Sequence, residues 1–253
     1  MSAPFDRLLV GNWKMNLSLV EGCRLAAAVA AQCHNLHRTA VWLAPATAML
    51  QAVTEAVAGS PLQIGVQNVC GVPHGAFTGE ISVAMVRECG GSFAIVGHSE
   101  RRLLFNEEPD LAAGRALGAL SQGLPVIFCV GETAAERSRG EAAQTLARQL
   151  EPLLEQYDPT ATGTLTVAYE PVWSIGTGNI PELGDIRAAH TEIAGLFERH
   201  GTPRPRILYG GSVAPDNLAA LLSIKEVDGA LVGGASLHAE KFTALIDICE
   251  RSA

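Results

Sequence analysis

The chemistry this chain offers is concentrated in a few residues, and Glu170 is the most telling of them. It ends a short β-favouring run, residues 165–168, and Pro171 after it has no N–H to donate to a ladder. Val172, Trp173 and Ile175 then run into Gly176 and Gly178, an apolar flap beside a lone carboxylate. Such a pairing suits base chemistry kept away from water. A strand followed by a hydrophobic loop, with Glu170 merely solvated, is the plainer alternative. His98 follows another strand directly, and Ser99 and Glu100 can open a short helix whose N–H groups point back at the imidazole. That environment favours the neutral ring, which can act as an electrophile at pH 7. Asn12 and Lys14 end the first strand, where a lysine places a fixed positive charge; a solitary lysine more often only lays its stem along the surface. Gly210-Gly211-Ser212 and Gly233-Gly234 are turns whose bare N–H groups can approach an anion. Either alone reads as a tight turn, but the two ending consecutive strands point to a phosphate. Gly176-Thr177-Gly178 is no dinucleotide fingerprint, because no third glycine follows at the required spacing and Pro181 interrupts.

Positioning these residues requires strands that end side by side. Strand-like runs are predicted at residues 8–13, 40–44, 63–67, 93–97, 125–130, 165–168, 206–209 and 230–232, several of them continuously apolar, as for parallel strands covered on both faces. Helical patterns lie between them, for example 18–31, 134–154 and 182–199. Glu107 or Asp110 is expected to start the helix after the fourth strand, and Asp216 the one before the eighth. Eight such units fit a closed barrel or an open doubly wound sheet. Functional-looking residues after nearly every strand favour the barrel, since an open sheet gathers them at one switch point.

Five stretches occur in an order that resembles the triosephosphate isomerase family: Gly11-Asn-Trp-Lys-Met-Asn16, Val96-Gly-His-Ser-Glu-Arg-Arg102, Ala168-Tyr-Glu-Pro-Val-Trp-Ser-Ile-Gly-Thr-Gly178, Tyr209-Gly-Gly-Ser-Val213 and Leu231-Val-Gly-Gly-Ala-Ser-Leu237. The resemblance runs end to end and implies a single (β/α)8 TIM barrel over residues 1–253. It implies interconversion of dihydroxyacetone phosphate and D-glyceraldehyde 3-phosphate without a cofactor. In that scheme Glu170 is the base, and neutral His98 polarises the carbonyl, a role for which the family is known. Lys14 stabilises the enediolate, Asn12 helps hold the reacting oxygens and Glu100 neighbours Lys14. Gly176, Ser212, Gly233 and Gly234 bind the phosphate, and Arg102 is structural. The loop 68–80, apolar at Gly75, Ala76 and Phe77, reads either as a floppy surface loop or as a subunit contact whose apolar tip needs a partner surface. In the resembled family it inserts beside the neighbouring subunit's site with the residue matching Thr78 foremost, which implies a homodimer. Ser174 stands where the family more often has alanine, and Leu17 where a small or polar residue is common.

The remaining composition narrows the function by exclusion. With 253 residues, 48% of them hydrophobic, the chain suits one large domain or two small ones, and a single (β/α)8 barrel is within range. A net charge of -8 argues against a general nucleic-acid surface. No apolar run nears the roughly 18 residues needed to span a bilayer, and no export signal is visible, so a cytoplasmic protein without membrane or nucleic-acid partners is expected. The six cysteines form no Cys-x-x-Cys pair, and His34 and His37 have no further ligand nearby, so no metal is expected. Cys129 lacks a paired histidine and reads as core packing beside a bulky Phe128. Two alternatives stand: another phosphate-binding barrel isomerase, which would lack Asn12, Lys14, His98 and Glu170 together, and an inactive barrel serving as a binding scaffold.

Overall fold

The computed structural model describes residues 5–160, 163–175 and 181–252. Its strands are β1 (Arg7–Asn12), β2 (Thr39–Ala44), β3 (Gln63–Ile64), β4 (Ala94–Val96), β5 (Val126–Val130), β6 (Leu165–Tyr169), β7 (Arg206–Tyr209) and β8 (Gly229–Val232). They form one parallel sheet in the order β3-β2-β1-β8-β7-β6-β5-β4. Its two edge strands meet. Val66 bridges Ala94, the Val66 N–H donates to the Phe93 carbonyl at 3.0 Å, and Ile95 donates to Val66 at 2.8 Å. The sheet therefore curls onto itself as a (β/α)8 barrel, with helices in the crossovers that parallel strands require.

Alternation along each strand divides the core. Leu8, Val10, Phe93, Ile95, Ile127, Cys129, Ala168, Leu208 and Leu231 pack together inside the barrel. Leu9, Val96, Phe128, Val167 and Ile207 join the cluster formed with the helices. Both faces are thus dry, which is why the strands read as unbroken apolar runs. Phe128 faces outward, where its bulk fits, and is buried.

Local signals set several helix starts. Ser18 caps the helix Leu19–Cys33 through a reciprocal box with Glu21, and Thr133 does the same with Glu136 for Ala134–Ser138. Three expectations are corrected. The single helix expected over 134–154 is two, Ala134–Ser138 and Ala142–Leu154, because Gly140 takes a φ of 74°, a left-handed turn that a helix cannot contain. The longer helix between β4 and β5, Pro109–Ser121, starts at Pro109 rather than at Glu107 or Asp110, since proline suits a first turn whose N–H groups lack partners; the short helix Ser99–Leu104 precedes it. Glu107 is instead buried against Arg101 at 2.7 Å. Asp216 does not start the helix before β8 either. Asn217 stands at the head of Leu218–Leu222, its Oδ1 accepting from Ala214 N–H and its Nδ2 donating to the Ser212 carbonyl.

Candidate active site

Parallel strands all end at the same rim of the barrel, and the chemical residues lie there. Asn12 is the last residue of β1, His98 comes two residues after β4, and Glu170 directly follows β6. Gly210–Ser212 and Gly233-Gly234 follow β7 and β8. Asn12, Lys14, His98, Glu170, Ser212, Gly233 and Gly234 all line one cavity of about 470 Å³. Glu100 does not line it, but its Oε1 accepts from Lys14 Nζ at 2.6 Å. Gly176 lies outside the described residues.

Lys14 adopts a φ of 53°, a left-handed conformation that costs a non-glycine residue about 1–3 kcal/mol. Neighbours hold it there: Lys14 N–H donates to Asn12 Oδ1 at 3.1 Å, and Gln67 Nε2 donates to the Lys14 and Ala44 carbonyls at 2.8 and 2.9 Å. The distorted turn brings the ammonium to the cavity, close to Gly233.

His98 caps the short helix Ser99–Leu104, and the Glu100 N–H donates to its Nδ1 at 3.2 Å. A nitrogen that accepts from an amide carries no proton, so this bond assigns the ring's proton to Nε2. Nε2 faces Glu170 Oε1 at 2.9 Å. The other carboxylate oxygen accepts from Ser99 N–H at 2.8 Å, and the Ser99 hydroxyl adds a longer contact of 3.3 Å. Glu170 is only 1% exposed, so its charge depends on these donors. Burial pushes its carboxyl up, but His98, Arg102 and the Ser99 N–H outweigh burial and hold it below the ordinary carboxylate value.

Supporting groups fix the backbone around Glu170. Gly131 approaches so closely that a Cβ there would fall 1.7 Å from the Glu170 carbonyl oxygen. Gln149 grips Gly131 through both its N–H (2.8 Å) and its carbonyl (3.1 Å). Arg102 donates to the carbonyls of Gly97 and Cys129, the latter at 2.8 Å, tying the ends of β4 and β5 together. Past β6, Trp173 Nε1 and the Tyr169 hydroxyl both donate to buried Glu132, at 2.8 and 3.0 Å. Ser174 is fully buried; its hydroxyl donates to the Pro171 carbonyl at 3.0 Å, and its own carbonyl accepts from Ser212 Oγ at 3.2 Å. The thiol of Cys129 lies beside Glu170, and burial pushes its pKa well up, which suits packing rather than attack.

Residues 7–249 match the family described as triosephosphate isomerase. The chain belongs to the triosephosphate isomerase family. Among its relatives, the triosephosphate isomerase of Ralstonia nicotianae is 43% identical, with 94% of this chain and 97% of the relative covered. That of an Azoarcus species is 42% identical over the same shares, and that of Prosthecochloris aestuarii is 39% identical over 97% and 99%. As a member of the triosephosphate isomerase family the protein is an isomerase, and the scaffold alternative is not favoured.

Sequence reasoning did not assign Ser99, Gln67, Gln149 or Glu132 to the site. Ser99 was within reach of it, as a hydroxyl residue beside a candidate catalytic histidine. Gln149 gave no signal, because it acts from a helix interior far along the chain. Among the described residues no group of three or more His, Cys, Asp or Glu side chains could hold a metal ion.

Proposed function

We propose that the chain interconverts dihydroxyacetone phosphate and D-glyceraldehyde 3-phosphate through an enediolate, with Glu170 as the base. The observation that carries this reading is the facing pair His98 Nε2 and Glu170 Oε1, 2.9 Å apart, in a cavity that also holds Lys14 and two glycine turns. A carbonyl oxygen entering between them takes over the Nε2–H hydrogen bond and frees Glu170 Oε1. Glu170 then removes the proton from the carbon next to the carbonyl, and the electron pair moves onto the oxygen. His98 and Lys14 stabilise the negative charge there, and His98 passes a proton between the two oxygens. Glu170 returns its proton to the neighbouring carbon, which completes the exchange of aldehyde and ketone. Asn12 helps hold the reacting oxygens, and Glu100 fixes the Lys14 ammonium. The phosphate lies against Ser212, Gly233 and Gly234, with Gly176 as a further ligand. Each of these roles follows the family resemblance, and those of the described residues are compatible with the contacts above.

The working unit is a homodimer, joined through the loop around Thr78. Support comes from exposed apolar side chains: Met15 beside Lys14 in the chain (93% exposed), Phe105 (67%) and Phe77 at the loop's tip (47%). Arg115 grips Glu80 at the loop's base with two bonds of 2.7 Å. The whole chain, residues 1–253, acts as one barrel in the cytoplasm; no helix among the described residues is long and apolar enough to cross a membrane.

Turnover of glyceraldehyde 3-phosphate by the purified protein, with Glu170→Gln in parallel, tests the reading. Fast wild-type turnover and a crippled variant are expected. A wild type that binds the substrate without converting it would refute the proposal.

A further inference from the structure

The opposite, N-terminal end of the barrel holds a second cavity, of about 230 Å³, between β2, β3 and β7. Arg206, the first residue of β7, lines it together with Trp42, and Leu36, Val41 and Pro61 add an apolar wall. A guanidinium carries five donors. Among the described residues Arg206 makes one hydrogen bond, from Nη2 to the Phe5 carbonyl at 2.6 Å. The acidic groups that influence it are engaged elsewhere: Asp228 pairs with Arg204 at 2.8 Å and Asp6 with Arg38 at 2.9 Å, and neither forms an ion pair with Arg206. Burial consequently holds Arg206 below the usual arginine value, although Asp228 and Asp6 act in the other direction. Arg206 is only partly buried, and its remaining donors open onto the cavity, where no carboxylate of the described residues pairs with them and Leu36, Val41, Pro61 and Trp42 stand beside His34, Thr39 and Gln63.

We propose that this cavity is a binding site for a small, flat carboxylate, with the carboxylate on Arg206 and the apolar body against Trp42. Arginine suits that group because its planar fork meets a carboxylate through two parallel hydrogen bonds. Trp42, whose ring packs against Phe93 with centroids 4.6 Å apart, supplies a rigid flat wall. The volume lies below the range usual for drug-sized ligands, which restricts the occupant to something about the size of a single-ring acid. Side chains at this end of such barrels serve stability rather than chemistry, so occupancy acts on folding and leaves turnover at the far rim unchanged.

Benzoate is the probe, with benzamide as its uncharged counterpart, tested on the full chain by calorimetry and thermal unfolding. At tenfold excess over its dissociation constant, benzoate is expected to raise the unfolding midpoint by about 3–6 °C and benzamide to leave it unchanged. Arg206→Gln and Trp42→Leu should each weaken benzoate binding at least about tenfold, and the Michaelis constant for triose phosphate should not change with benzoate. Absence of saturable binding would overturn the proposal, as would an equal response to benzamide. Competition with triose phosphate would overturn it too, by placing the anion in the catalytic cavity. If Arg206→Gln does not fold, Trp42→Leu and the benzamide comparison decide the matter.

Discussion

At the scale of single residues, Glu170 depends on balanced opposites. Full burial opposes its charge while Ser99, His98 and Arg102 restore it, so it stays ionised below the ordinary carboxylate value of about 4.3. The Glu170 carboxyl, followed by carbon NMR of the full chain, should therefore titrate below about pH 4.3, and a titration above that value would refute this balance; an acid limb of kcat/KM near pH 6 belongs to the substrate phosphate. Glu170→Gln should lower turnover by about 100- to 10,000-fold, measured in both directions of the reaction. Lys14→Ala removes a charge acting on bound substrate and enediolate alike, so steady-state kinetics should show both a raised KM and a lowered kcat. These side chains were legible in the sequence because each ends a strand beside a recognisable neighbour. The φ of Lys14 was not, because it is imposed by Asn12 and by Gln67 from the loop after β3.

At the scale of elements, the loop after β5 and the strand β6 act as one unit through Gly131. Adding a methyl group in Gly131→Ala would drive Cβ into the Glu170 carbonyl, so a loss on the order of 3 kcal/mol is expected in chemical denaturation, with reduced turnover in whatever folds. The helix Ala134–Ser138 next to this loop relies on its cap. Burial tends to raise the carboxyl of Glu136, but the N–H and hydroxyl of Thr133 and the Arg148 guanidinium bring it down to about 2. A carboxylate depressed in the folded state stabilises above its unfolded value, near 4.3, and loses that contribution as pH falls towards 2. Glu136→Gln should therefore cost about 1 kcal/mol at pH 7, and unfolding curves of the two proteins should converge near pH 2. The two capping boxes could be read from local spacing alone. The break at Gly140 could not, since glycine also occurs inside helices and only the packing of the two pieces selects the left-handed turn.

At the scale of the whole molecule, the exposed apolar residues around Lys14 and Phe77 call for a partner surface. Sedimentation should find two chains per particle, and Phe77→Asp should shift the particle towards one chain and depress turnover. A wild type that sediments as a single chain with full activity would refute the dimer.

The order of strands and helices, the dry faces of the barrel and the identities of Asn12, Lys14, His98 and Glu170 were determined by the sequence itself. Strand alternation, caps and chemical side-chain types are local properties, written within a few residues of each other. Only the tertiary structure decided which groups touch. Lys14 meets Glu100 across 86 positions and Ser99 meets Glu170 across 71. It likewise assigned the His98 proton to Nε2, gave Arg102 the carbonyls of Gly97, Cys129 and Gly131 to hold and opened the Arg206 guanidinium onto a cavity at the far end. These are hydrogen-bond and charge relationships between distant strand ends. They exist only once the sheet has closed, because closure sets the distances on which such interactions depend.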